Sequence, residues 1–176
     1  MKHTMLAVTR FTLTGGFYAE VISETDEDVA ATANTAAALL LASQTSPISL
    51  SSYAGLPTSL TSAEKTATGN YDLELKAAGY GIYGTRKPSG EYITIRVSLT
   101  SDGTVIDCLT LSQAETEGVG SVCAEESFYG QFRGKTEETY TQIDAISRAT
   151  ITTDGYKKAI LDAFTSVRIF EKGATP

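Results

Sequence analysis

The run Tyr92-Ile93-Thr94-Ile95-Arg96-Val97-Ser98-Leu99 alternates between two residue classes, the period of a strand with one face buried. Ser101-Asp102-Gly103 follows as a turn, and Thr104 to Leu111 reads as the returning strand. Strands joined by so short a turn run antiparallel. This hairpin constrains the fold more than any other stretch of the chain. Tyr71-Asp72-Leu73-Glu74-Leu75-Lys76 alternates in the same way, and Gly79-Tyr80-Gly81 after it reads as a bend or bulge.

The last third changes period. From Asp154 to Val167, Tyr156, Ala159, Ile160, Ala163, Phe164 and Val167 fall at three- and four-residue steps, which is an amphipathic helix. Thr152 or Thr153 is a candidate cap, with Asp154 in the first turn. Just upstream lie the hydroxyls of Ser147, Thr150 and Thr152. A helix start offers free N–H groups and partial positive charge, so this segment is either a hydroxyl-rich cap or a phosphate seat. The expected class is α+β, an antiparallel sheet with flanking helices.

Toward the N-terminus, residues 6–23 suggest two short strands around Gly15-Gly16. Thr25-Asp26-Glu27-Asp28 resembles a capping box that opens an Ala- and Leu-rich helix reaching Ser43. Between Gln44 and Asn70 the composition shifts to Ser, Thr, Pro and Gly, which predicts a loop or linker with one helical turn near Ser62-Ala63-Glu64-Lys65. The expected organisation is a vector remnant at 1–5, strands and helix at 6–43, a linker at 44–70 and a ligand-binding domain at 71–172.

Composition removes several functions. A formal charge of −7 opposes nucleic acid and anionic lipid, both of which need clustered Lys and Arg. No apolar run approaches the roughly 18 residues of a spanning helix, and no signal peptide is evident, so the expectation is a soluble piece whose anchor lies elsewhere. The single histidine, His3, cannot build a Ser-His-Asp triad or a His-based metal site. Cys108 and Cys123 are too far apart in sequence for a zinc or redox pair. Either a disulfide or two buried thiols fits them. The Glu125-Glu126 and Glu137-Glu138 pairs read as solvated faces.

Three motifs occur in one order: Glu115-Thr116-Glu117-Gly118-Val119-Gly120, then Phe128-Tyr129-Gly130-Gln131-Phe132-Arg133-Gly134-Lys135, then Asp144-x-x-Ser147-x-Ala149-Thr150-x-Thr152. Together they resemble the FMN-binding domain of the Rnf complex G subunit and of the C subunit of sodium-pumping NADH:quinone oxidoreductase. The resemblance implies an electron-carrier flavoprotein domain with FMN esterified through its phosphate to Thr150. It departs from the family at Glu117 for Pro, Val119 for Leu and Arg148 for Gly. Ser147, Arg148, Ala149, Thr152 and Thr153 would surround the attachment point. Gly118, Val119 and Gly120 would let backbone approach the ring, with Glu115 and Thr116 at its edge. Lys135 or Arg148 would pair with the phosphate or stay solvated. Arg148→Gly is expected to raise attachment if the family's Gly serves a backbone shape, and to lower it if Arg148 holds the phosphate. A separate flavin transferase using FAD, redox partner proteins, and a place on the outer face of the cytoplasmic membrane or the cell surface are implied as well. A flavin-free binding module of the same fold is the alternative.

Overall fold

A computed structural model describes residues 7–12, 18–23, 44–86 and 89–173. The chain divides into two compact units, Met1–Gln44 and Thr45–Pro176. In the first, β1 (Ala7–Thr12) and β2 (Tyr18–Ser23) pair antiparallel, with Ala7 opposite Ser23 and Thr12 opposite Tyr18. The helix expected from Thr25 to Ser43 and the remnant expected at 1–5 lie outside the described residues.

The second unit is built on a five-stranded antiparallel sheet in sequence order: β3 (Thr45–Pro47), β4 (Leu60–Thr66), β5 (Tyr71–Ala77), β6 (Ile93–Leu99) and β7 (Val105–Ser112). The register of the central pair places Leu73 against Val97 and Leu75 against Ile95. The alternation seen in sequence therefore puts Tyr71, Leu73, Leu75, Ile93, Ile95, Val97 and Leu99 on one buried face. Burying each large apolar side chain contributes on the order of 2 kcal/mol.

Residues 44–70 correct the expectation of a linker. They carry β3, a 3-10 turn at Leu50–Ser52 and β4, and the predicted helical turn near Ser62 lies inside β4. The signal was weak for a physical reason. A bulge between Leu60 and Ser62 breaks the alternation, leaving only Leu60 and Ala63 buried on β4. Strand pairing with β5, rather than local pattern, makes this segment extended. Pro47 sits on the edge strand, where a missing N–H is tolerated.

Gly79-Tyr80-Gly81 is likewise not a bulge but the start of a single helical turn, α1 (Tyr80–Tyr83), with Gly79 at its N-cap. After β7 come a 3-10 segment at Gly120–Ala124, the short α2 (Glu126–Tyr129), a 3-10 turn at Gly130–Phe132, and finally α3 (Thr150–Lys172). The α3 stripe of Tyr156, Ala159, Ile160, Ala163, Phe164, Val167 and Phe170 is buried and packs against β4, β5 and β6. Tyr156 stacks on Phe132 at 5.4 Å and meets Phe128 edge-on at 5.1 Å. Gly155 is the point of closest approach. A Cβ there would lie 2.2 Å from the Ala78 carbonyl oxygen, so only glycine lets α3 sit against the β5–α1 connection.

Cys108 and Cys123 are both buried and free, which decides between the two alternatives left open by their spacing. Burial pushes each thiol up to about 12. At neutral pH they are packing residues rather than nucleophiles.

Candidate functional site

Helix α3 begins at Thr150, four residues before Asp154, where the helical period was read in the sequence, with Ala149 as N-cap. Neither Thr152 nor Thr153 caps it, because both lie within the first turn, and no side chain bonds the cap position. The first helical bond runs from Thr153 N–H to the Ala149 carbonyl at 3.0 Å. That leaves the N–H groups of Thr150, Ile151 and Thr152 without helical partners, and the first turn holds no acidic residue. A helix of 23 residues thus starts with no side-chain cap and no acidic residue in its own first turn.

This start opens on to a cleft of about 360 Å³. One wall is Arg148, Ala149, Thr150, Ile151 and Thr152; the other is Thr116, Val119, Gly120 and, from α1, Tyr80. The second wall is a tight loop in which the Thr116 carbonyl accepts from the N–H groups of Val119 and Ser121, each at 3.1 Å. Gly118 has φ +68, the left-handed region that glycine occupies without strain, and its N–H donates to Ser121 Oγ at 2.9 Å. Gly118 shapes the turn but does not line the cleft.

The carboxylate of Glu115 lies buried beneath both walls. Its Oε1 accepts from Gly81 N–H at 2.8 Å and its Oε2 from Tyr80 N–H at 2.9 Å, while the Thr152 hydroxyl also donates to Oε2. Cβ atoms on Gly79 or Gly120 would fall 2.7 Å and 2.9 Å from its oxygens. So Gly120 permits close approach to Glu115 and Thr152. Glu115 does not reach out as a polar contact to a ligand; it ties α1, the loop and α3 together. That role was not legible in sequence, since the three donors come from segments far apart in the chain.

The remaining predicted residues separate clearly. Thr150 is exposed, lines the cleft, and its hydroxyl makes no hydrogen bond among the described residues. Thr152 is fully buried and committed to Glu115. Thr153 faces away from the cleft: its Oγ1 donates to the Ala149 carbonyl and accepts from Ile146 N–H at 3.1 Å, latching the incoming segment on to the helix. Ser147 is exposed but does not line the cleft. Lys135 is not brought to it either. Its carbonyl accepts from Val105 N–H at the start of β7, whereas the cleft loop follows the end of that strand. Tyr80 and Ile151 line the cleft without having been singled out. Gly79-Tyr80-Gly81 flanking a strand end was the available signal for Tyr80.

Arg148 has φ +63, and among the described residues it is the one non-glycine in the left-handed region. Glycine at this position would relieve that conformation. The backbone requirement inferred for the family's Gly is thus present here.

The fold and cleft together define a class: a small α+β domain in which an uncapped helix start and a glycine loop form a cleft at one end of an antiparallel sheet. Residues 89–165, which hold both cleft walls except Tyr80, match the family described as FMN-binding domain. The G subunit of the proton-translocating ferredoxin:NAD(+) oxidoreductase complex of Clostridium ljungdahlii is 33% identical over 107 residues, covering 56% of this chain and 58% of that protein. The chain therefore spans less than two thirds of this relative. The donor set fits the group: free backbone N–H, an unengaged hydroxyl and a cation on one side suit a phosphate, and Tyr80 and Val119 on the other are apolar enough to meet a flat ring.

Proposed function

We propose that this chain is an electron-carrier flavoprotein domain that holds FMN covalently through a phosphoester to Thr150. The observation that carries the reading is the separation of the hydroxyls. Of Ser147, Thr150, Thr152 and Thr153, only Thr150 is both exposed and in the cleft at the uncapped helix start. When bound, FMN supplies one- or two-electron transfer. The protein's own residues hold it. The N–H groups of Thr150, Ile151 and Thr152 face the phosphate, the helix dipole stabilises its remaining negative charge, and Tyr80, Val119 and Gly120 form the opposite wall.

Attachment needs a transferase, supplied by a second protein, with FAD as donor. The Thr150 Oγ1–H bond is replaced by a bond from Oγ1 to the flavin-side phosphorus. The bond from that phosphorus to the AMP oxygen breaks, AMP leaves, and the hydroxyl proton passes to a base of the transferase. Exposure of Thr150 supports access by such an enzyme. The relative's description as part of a proton-translocating oxidoreductase complex supports redox partner proteins and a membrane-associated setting for this chain. The outer face of the cytoplasmic membrane follows from the family resemblance. Among the described residues no helix is long and apolar enough to cross a membrane.

The test is intact mass after incubation with flavin transferase and FAD. Wild type should gain the mass of FMN less one water, and Thr150→Ala should gain nothing while remaining folded by circular dichroism. Labelling of Thr150→Ala to the wild-type extent would reject the assignment. Failure of folded wild type to label would favour the flavin-free module.

A further inference from the structure

Arg148 occupies a backbone conformation that costs folding free energy for any side chain and least for glycine, and Arg is not among the residues that tolerate it through a local hydrogen bond. Strain of this kind is retained where the side chain does something the fold itself does not require. Yet Arg148 stabilises nothing visible. Its side chain is exposed, and among the described residues its guanidinium takes part in no ion pair or hydrogen bond. Arg133 is held by Asp107 and Glu126, and Arg168 by Glu137. Arg86 and Arg96 likewise have no carboxylate partner among the described residues, so what sets Arg148 apart is its left-handed backbone together with its place in the cleft.

Position supplies the reason. Arg148 precedes the N-cap by one residue, stands two residues before Thr150, and lines the same cleft as the unpaired helix N–H groups. A phosphodiester on Thr150 keeps one negative charge. We propose that the Arg148 guanidinium pairs with that phosphate, so that this chain clamps the group from two sides, by backbone N–H from the helix and by a planar cation from the turn before it. The inference rests on attachment at Thr150. It adds a positioning residue where the family's glycine offers no side chain. A guanidinium suits the task because its fork meets two phosphate oxygens at once, which an ammonium does not.

The experiment is urea unfolding of the full chain, before and after loading with FMN by a flavin transferase, for wild type, Arg148→Gln, Arg148→Lys and Arg148→Gly. Loading should stabilise wild type. In Arg148→Gln that gain should shrink by about tenfold in the folding equilibrium, the worth of one hydrogen bond between charged groups. Arg148→Lys should keep part of it. Unloaded Arg148→Gln should be close to wild type, and unloaded Arg148→Gly more stable than wild type because the strain is relieved, yet loading should help it no more than Arg148→Gln. Added salt should erode the gain in wild type more than in Arg148→Gln. An equal gain from loading in wild type and Arg148→Gln overturns the inference and leaves attachment standing. Wild type that acquires no FMN mass overturns both.

Discussion

Glu115 is a buried carboxylate that makes no ion pair among the described residues and is satisfied by two backbone N–H groups and one hydroxyl. Glutamine keeps the shape and loses an acceptor. In either orientation its amide NH2 faces a backbone N–H, that of Tyr80 or of Gly81, and the Thr152 hydroxyl can turn to relieve only itself. Glu115→Gln should therefore destabilise the fold by about 2 kcal/mol, the cost of leaving a buried donor unmet. Urea unfolding measures it, and a wild-type midpoint would contradict the pinning role. The same substitution should loosen both walls of the cleft, because Tyr80, Gly120 and Thr152 are all held through this one side chain or packed on it.

At the scale of elements, α3 is secured at both ends by different chemistry. At its start the seat is made by glycines and Glu115. At its end, Glu171 accepts from the Tyr71 hydroxyl and from Lys65 Nζ at 3.2 Å, and Lys65 also donates to Tyr71 at 2.7 Å, so the helix is tied to β4 and β5. The Tyr71 hydroxyl first, and Lys65 second, hold the Glu171 carboxyl below its usual range. A depressed folded-state value means stabilisation that is present above the unfolded value, near pH 4.3, and lost as pH falls through the folded one. Stability should thus decline on acidification from about pH 5 to pH 3, and Glu171→Gln should flatten part of that decline. Lys65 and Glu171 are 44% and 41% exposed at their side chains, so solvent screening keeps the difference under about 1 kcal/mol. Urea midpoints at pH 7 and pH 3 for both proteins supply the test; parallel acid curves would remove Glu171 from the account.

For the whole molecule, the described core runs from Leu60 to Phe170 and lies entirely within the second compact unit. The cleft walls lie there too. A chain starting at Thr45 should therefore fold cooperatively with the melting temperature of the full chain and accept FMN at Thr150 to the same extent. Calorimetry and intact mass check this. Loss of either property would show that residues before Thr45 contribute to the fold or to the transferase's recognition of it. The negative charge of the chain is spread over exposed carboxylates such as Glu126 and Glu137, each paired with an arginine, in keeping with solvated faces rather than acid–base dyads.

What the sequence determined by itself is what depends on near neighbours. Alternation at Tyr71–Lys76 and Tyr92–Leu99, the Asp102-Gly103 turn and the helical stripe of Tyr156 to Val167 each report one element's own period, so strands, hairpin and helix were legible. The motif order around Thr150 was legible as well, and with it the match to an FMN-binding domain. Tertiary structure alone decided the rest. Residues 60–66 are strand because β5 offers them partners, not because their residues alternate. Glu115, exposed in any local reading, is buried because donors from two other segments converge on it. Lys135 leaves the site because β7 separates its two ends by roughly 25 Å at 3.3 Å per residue. Sequence proximity carries backbone preference; where a charge ends up is a property of the packed chain, since only there do distant groups share one desolvated space.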